Sequence, residues 1–227
     1  MSLSQERSEQ LREYARLLSN HDLANVIGTR EVDRILIDHV LDSLSCFLLE
    51  PLSRARRLAD VGSGGGLPGI PIKIMNPEIA ATLVESTGKK ARFLRHAVDA
   101  LSLRGVDVAN TRVEDLGRTL AHRGAYEIVT CRAVGRLSVV AEYCVPLLEP
   151  GGRAIAMKGR LETEELAEGN RAVDELGARV AETKRVPMLT EVGERERNLV
   201  ILEKLGETPE RYPRRAGIVA KRPLGSR

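Results

Sequence analysis

The segment Asp60-Val61-Gly62-Ser63-Gly64-Gly65-Gly66-Leu67-Pro68-Gly69 constrains this chain more than any other. It puts five glycines into the eight residues from Gly62 to Gly69, directly after the apolar run Leu58-Ala59-Asp60-Val61. Glycine reaches positive φ without penalty and carries no Cβ, so a ligand can lie against the backbone. A strand that ends in such a loop and continues into a helix turns helix N–H groups toward that ligand. The register Gly64-x-Gly66-x-x-Gly69 also fits a dinucleotide fingerprint, so the loop alone does not choose among nucleotide-like ligands.

The flanking pattern supplies a frame. Ala80–Val84, Val106–Asn110, Tyr126–Cys131 and Arg153–Met157 read as further strands. Lys89–Leu103, Glu114–His122, Leu137–Leu148 and Thr163–Leu176 read as helices, and Glu149-Pro150-Gly151-Gly152 as a turn. Arg179–Val186 and Asn198–Glu203 have little between them, so they pair as an antiparallel hairpin at the sheet edge. The alternation predicts a mostly parallel sheet with helices on both faces, and ligands beyond the carboxyl ends of its strands. Before Pro51 the chain reads as helical. Leu11, Tyr14, Ala15, Leu17 and Leu18 mark one helix, and Asn20–Thr29 a looser connector. Val32, Ile35, Leu36, Val40, Leu44, Phe47 and Leu48 make one apolar face of a second helix, which Pro51 stops. The expected organisation is a helical segment 1–52, an α/β domain 53–205 and a basic C-terminal tail 206–227.

With 227 residues, 42% hydrophobic and 30% charged, the chain has material for one α/β domain and is no disordered polymer. No apolar run approaches a membrane span, and Met1–Gln10 lacks the character of a secretory signal. Cys46, Cys131 and Cys144 form no Cys-x-x-Cys pair and read as reduced thiols. The expectation is a cytoplasmic protein with no membrane partner and no metal. The net charge is +3, yet Thr208–Arg227 holds six basic residues and one acid. That tail is either an attractor of phosphates or a solvated end. With no Trp, two Phe and four Tyr, a base-stacking surface is disfavoured.

Three acids sharpen the loop. Asp60 sits inside the strand end, where a buried carboxylate holds the loop or accepts from an ammonium group. Glu85 ends the second strand, about 20 residues on, where a carboxylate takes both hydroxyls of a ribose. Glu114, in Arg112-Val113-Glu114-Asp115, meets an adenine edge or serves the start of a helix. Lys89, Lys90, Arg92 and Arg95 crowd the helix end that disfavours cations, which leaves RNA phosphates or solvent as their partners.

The string Asp60 to Gly69 resembles motif I of class I S-adenosylmethionine methyltransferases. More narrowly, the chain resembles the RsmG (GidB) family. The matching pieces are His39-Val40-Leu41-Asp42-Ser43-Leu44, the loop with Ile70-Pro71, and Leu83-Val84-Glu85-Ser86 with Lys89-Lys90 and Arg92-Phe93-Leu94. Arg112-Val113-Glu114-Asp115, Cys131-Arg132-Ala133-Val134 and Met157-Lys158-Gly159 continue the order, over roughly residues 35 to 205. Leu67-Pro68-Gly69-Ile70-Pro71 is the most specific piece. The resemblance implies a Rossmann-like fold with a seven-stranded, mostly parallel sheet whose last strand is antiparallel. It implies S-adenosylmethionine as cofactor, S-adenosylhomocysteine as product, and methyl transfer to N7 of a guanosine in 16S ribosomal RNA. The partner is then that RNA, the small ribosomal subunit or its precursor. On the same basis Asp60, Gly62, Gly64, Leu67, Glu85, Val113, Glu114 and Arg132 belong to the cofactor site. Arg132, His39 and Asp42 are the catalytic candidates, and Lys89, Lys90, Arg92 and Lys158 the RNA contacts. A plainer reading of His39 bonds it to Asp42 or to a backbone carbonyl.

This reaction asks little of acid–base groups. Guanine N7 carries an in-plane lone pair and no proton, so in-line attack needs no general base. Thr130-Cys131-Arg132-Ala133 lacks the Asn/Asp-Pro-Pro-Tyr box of exocyclic-amine methylation, and no Pro-Cys pair makes Cys131 a nucleophile. The competing readings are an NAD-dependent oxidoreductase and a non-catalytic RNA-binding protein with the same fold.

Overall fold

A computed structural model describes residues 3–20, 27–190 and 193–226. Its strands are β1 (Arg57–Val61), β2 (Ala80–Val84), β3 (Val106–Ala109), β4 (Tyr126–Arg132), β5 (Leu148–Lys158), β6 (Ala178–Thr190) and β7 (Gly193–Lys204). They form one sheet in the order β3-β2-β1-β4-β5-β7-β6. The first five are parallel, and β7 runs antiparallel to both β5 and β6. In register, Val61 pairs with Val84 and Cys131, and Val84 with Ala109. The carboxyl ends of the first four strands therefore reach one edge together.

Successive β1 side chains face opposite sides of the sheet, as strand geometry requires. Ala59 and Val61 pack with Val140 and Ala141 of a helix spanning Leu137–Cys144. Leu58 packs on the other face with Ile72 and Ile79. Five helices matter for the site: α1 (Gln5–Asn20), α2 (Gly69–Met75), α3 (Gly88–Ala100), α4 (Leu137–Cys144) and α5 (Thr163–Glu175). The buried residues of α1, Leu11, Tyr14, Ala15 and Leu18, follow helical spacing and pack against Ile70 and Ile74 of α2. Complete burial of a side chain such as Ile70 contributes about 1.5–3 kcal/mol.

Several sequence expectations change. The second N-terminal helix is irregular: α-helical over Val32–Ile35, π-helical over Leu36–Leu41, α-helical over Asp42–Leu44 and 3-10 over Ser45–Leu48. It ends where Leu49 turns extended, not at Pro51. Pro51 instead lies in the first turn of a short helix, Glu50–Arg54, where its missing N–H costs nothing. The helix expected over Glu114–His122 is a single turn, Val113–Leu116. The turn expected at Glu149-Pro150-Gly151-Gly152 is a bulge inside β5, since pairing with β4 jumps from Tyr126↔Leu148 to Ile128↔Arg153. The hairpin is longer than the sequence indicated because Pro187 in β6 and the charged run Glu194–Arg197 in β7 obscure the strand pattern. Of the expected connector Asn20–Thr29, residues 21–26 lie outside the described residues.

The basic segment 206–227 is not a detached tail. Tyr212 and Leu224 are buried in the cluster that contains α4 and α5, and Val219 is fully buried as well. The Arg123 guanidinium donates to the carbonyls of Thr208 and Tyr212, at 2.7 and 2.6 Å. No described helix is long and apolar enough to cross a membrane.

Candidate functional site

Beyond the carboxyl ends of β1, β2 and β3 lies a crevice lined by Gly62, Glu85, Val113, Glu114, Val134 and Tyr143 among others. A larger cleft of 710 Å³, lined by Lys73, Pro77 and Arg104, sits at the opposite ends of β2 and β3. Strand topology favours the first as the ligand site, because side chains and loop amides converge at carboxyl ends.

The glycine loop is braced from below. Asp60 is fully buried and accepts from Thr130 Oγ1 at 2.8 Å and from the Gly69 N–H at 3.2 Å. A Cβ on Gly69 would stand 2.8 Å from that Asp60 oxygen and 2.5 Å from Leu83, so glycine is required there. Burial pushes the Asp60 carboxyl up to about 6. Asp60 thus holds the loop and does not line the crevice, which favours the first of its two sequence readings. Gly62 has φ +69, and a Cβ there would sit 2.8 Å from Val134 Cγ2. Gly64 donates its N–H to Glu85 Oε2 at 3.0 Å, and Thr87 N–H reaches Glu85 Oε1 at 2.7 Å. Glu85 therefore links the loop to the start of α3, and each of its oxygens retains a second acceptor position. Leu67 is buried with α1 and α2 rather than on the crevice wall.

Glu114, only 3% exposed, accepts the Gly217 N–H at 3.2 Å and shares the crevice wall with Tyr143. Burial and the Glu114 carboxylate raise Tyr143 to about 12. Val113 lies beside Glu114 on the wall.

A second constellation stands at the end of β4. Arg132 Nη1 donates to Asp42 Oδ2 at 3.1 Å, and Arg197 of β7 grips the same carboxylate at 2.7 and 2.6 Å. Asp42 is 2% exposed, so one buried carboxylate joins two guanidiniums. His39 Nε2 lies 2.8 Å from the Ile27 carbonyl, and its Nδ1 3.2 Å from Arg132 Nη2. A guanidinium only donates, so Nδ1 is the acceptor and Nε2 carries the proton. Burial first, then Arg132, lowers the His39 pKa and keeps the ring neutral. Both ring nitrogens are engaged, an arrangement that matches the plainer reading of His39 as a histidine bonded to a backbone carbonyl.

The expected RNA contacts divide. Lys89 and Arg92 are exposed and Lys90 half-buried at the start of α3, next to Glu85, and none forms an ion pair among the described residues. Lys158 is occupied: its ammonium meets Glu165 at 2.7 Å and the Gly135 carbonyl, while Glu165 also accepts the Leu137 N–H. It thereby ties α5 to the loop between β4 and α4. Cys131 is buried, and the adjacent Cys144 thiol together with burial pushes its pKa well up, so it persists as a thiol. Among the described residues no cluster of three His, Cys, Asp or Glu suits a metal.

Sequence reasoning missed three residues. Arg197 sits in a charge run without distinguishing context, and Tyr143 looks like ordinary helix filling. Tyr14 occupies the apolar stripe of α1, yet its fully buried hydroxyl donates to the Gly65 carbonyl at 2.6 Å.

A family model described as rRNA small subunit methyltransferase G matches residues 7–200. A ribosomal RNA small subunit methyltransferase G of Rubrobacter xylanophilus is 59% identical over 222 residues, covering 97% of this chain and 85% of that protein. A protein of the same name from Chloroflexus aggregans is 44% identical over 224 residues, covering 98% and 92%. Among solved structures, a SAM-dependent O-methyltransferase from Thermotoga maritima superposes with TM-score 0.51 at 15% identity, covering 74% of this chain and 66% of that one. A precorrin-6y C5,15-methyltransferase from Geobacter metallireducens gives 0.52 at 16%, covering 74% and 87%. These two structures share the fold.

Proposed function

Because this chain belongs to the rRNA small subunit methyltransferase G family, we propose that it methylates N7 of a guanosine in 16S ribosomal RNA, with S-adenosylmethionine as donor. The observation that carries this reading is the crevice itself: a glycine-lined floor at Gly62 beside the Glu85 carboxylate at the end of β2. A side chain at position 62 would fill the space, and Glu85 retains acceptor capacity for two ribose hydroxyls. Those residues fit a nucleoside. Glu85 would hold its ribose, and Val113 and Glu114 its base. S-adenosylmethionine, when bound, supplies a methyl group on a positively charged sulfur.

The chain's own residues then bind, orient and exclude water. Guanine N7 needs no deprotonation, which agrees with His39 being committed to Ile27 and Arg132, and Asp60 to Thr130 and Gly69. Two guanidiniums on one carboxylate leave a net positive charge at the end of β4. Such a charge attracts a phosphate or the O6 of guanine and aligns the purine. Exposed Lys89 and Arg92 beside the crevice extend the positive surface along the RNA backbone, where each phosphate contact adds to the salt dependence. Proximity and orientation carry the rate.

Incubation with S-adenosylmethionine labelled in its methyl group, followed by isolation of small-subunit RNA, tests the proposal. Label in 16S RNA, with strand scission at one guanosine after reduction and aniline treatment, is the expected result. Binding of RNA and cofactor without transfer would leave a non-catalytic RNA-binding protein.

A further inference from the structure

The basic C-terminal segment has no place in the function as stated, yet its best-anchored residue points inward. Glu142 on α4 is fully buried, and Arg214 closes on it through Nε at 2.9 Å, Nη2 at 2.6 Å and its backbone N–H at 2.7 Å. Glu142 precedes Tyr143, which lines the crevice wall together with Glu114. Three residues beyond Arg214, the Gly217 N–H donates to the same Glu114. The segment therefore touches the wall twice, through the backbone at Gly217 and through α4 at Glu142. Val219 and Leu224 bury themselves behind it, and Arg171 Nε holds the Gly225 carbonyl at 2.8 Å.

We propose that the segment from Thr208 to Leu224 is a strap of the cofactor site, with Arg214 as a positioning residue that sets Glu114 and Tyr143 on the wall receiving the nucleoside base. The inference rests on the reading of the crevice as the S-adenosylmethionine site. It assigns the Arg214 charge to Glu142, not to an RNA phosphate. A buried carboxylate whose guanidinium is removed is left uncompensated, so the local structure opens to hydrate it. Opening there loosens Tyr143 and withdraws Gly217 from Glu114.

The experiment compares full-length native protein with Arg214→Ala. Calorimetry with S-adenosylhomocysteine reads the cofactor site without RNA, and RNA binding across a salt series reads phosphate contacts. The strap predicts a five- to tenfold weaker S-adenosylhomocysteine affinity, a raised KM for S-adenosylmethionine, an unchanged KM for RNA and an unchanged salt slope. A phosphate contact predicts the reverse: unchanged cofactor affinity, weaker RNA binding and a salt slope lower by about one. The second result, or unchanged cofactor affinity in a folded variant, overturns the proposal. If Arg214→Ala does not fold, Arg214→Lys carries the test. It keeps the charge for a phosphate but loses the forked grip on Glu142, so a strap still weakens the cofactor and a phosphate contact does not. Native protein that fails to bind S-adenosylhomocysteine refutes the cofactor reading itself. A folded Arg214 variant that binds it as well as native protein does refutes the strap alone.

Discussion

Asp60→Asn separates the charge of the buried carboxylate from its shape. Burial is the largest cause of the rise from an ordinary 3.8 to about 6, and the bonds from Thr130 and Gly69 offset only part of it. A shift of about two units corresponds to about 3 kcal/mol. The folded-state pKa is raised, so the group's stabilising contribution is fully present below pH 4 and is lost as pH climbs through 6. Asparagine does not titrate. It keeps an oxygen for Thr130 Oγ1 but turns an NH2 toward the Gly69 N–H, leaving a buried donor unpaired at about 1–3 kcal/mol. Asp60→Asn is therefore less stable than the native chain at pH 4.5. About two-thirds of the titration falls between pH 4.5 and 7.5, so the deficit shrinks by roughly 2 kcal/mol over that interval. Urea unfolding at stepped pH measures it: with a slope of about 2–3 kcal/mol/M, the gap between midpoints moves by on the order of 1 M. Other groups titrate alike in both proteins and cancel. A deficit that is constant with pH, or that widens as pH rises, refutes burial as the origin of the shift.

Asp42→Asn strips Arg132 and Arg197 of their shared counter-charge; thermal and urea unfolding should show a loss of about 3–5 kcal/mol, with methyl transfer falling further than S-adenosylhomocysteine affinity. Glu85→Ala frees the Gly64 and Thr87 N–H groups and removes the proposed ribose acceptor, so calorimetric affinity should drop about 10- to 100-fold, the equivalent of a lost charged hydrogen bond. Tyr14→Phe orphans the buried Gly65 carbonyl; a cost of about 1–3 kcal/mol in unfolding and a severalfold weaker cofactor are expected, with RNA half-saturation unchanged. Acidification protonates His39 at Nδ1 and sets it against Arg132, so the rate should fall on an acid limb below pH 6.5, the ordinary histidine value, and His39→Asn should abolish that limb.

How far the sequence could be read depends on how local each signal is. Leu58–Val61 and the glycines after it announce their own geometry, and β1, its loop and Glu85 fall where spacing puts them. Asp60 stayed ambiguous because its role depends on Thr130, 70 residues away. The short turn at Val113–Leu116 was overextended because the charges after it suit a helix surface as well as a coil. Pro51 was misread because proline closes one helix and opens another with equal ease. Segment 206–227 reads from sequence as either a phosphate attractor or a solvated end, because its few apolar residues, Tyr212, Val219 and Leu224, are too scattered to show that they dock. Periodicity has nothing to detect when a segment docks by single side chains.

The Arg132–Asp42–Arg197 contact shows why the irregular N-terminal helix cannot be separated from the site. Asp42 lies 90 residues from Arg132 and 155 from Arg197, so no local pattern joins them. The π-helical stretch Leu36–Leu41 ends immediately before Asp42 and contains His39, and such stretches re-aim the side chains that follow. Arg132 is thereby held by a helix that precedes β1, while Arg197 comes from the antiparallel strand added after the parallel core. The two guanidiniums would repel one another at the end of β4 without the carboxylate between them. Positive charge is therefore concentrated beside the crevice only after the first helical segment and the last hairpin have both docked. In the proposed reading the parallel sheet supplies the floor for the cofactor and Arg132, while the helix before it and the hairpin after it supply Asp42 and Arg197, which set the charge that would face the RNA.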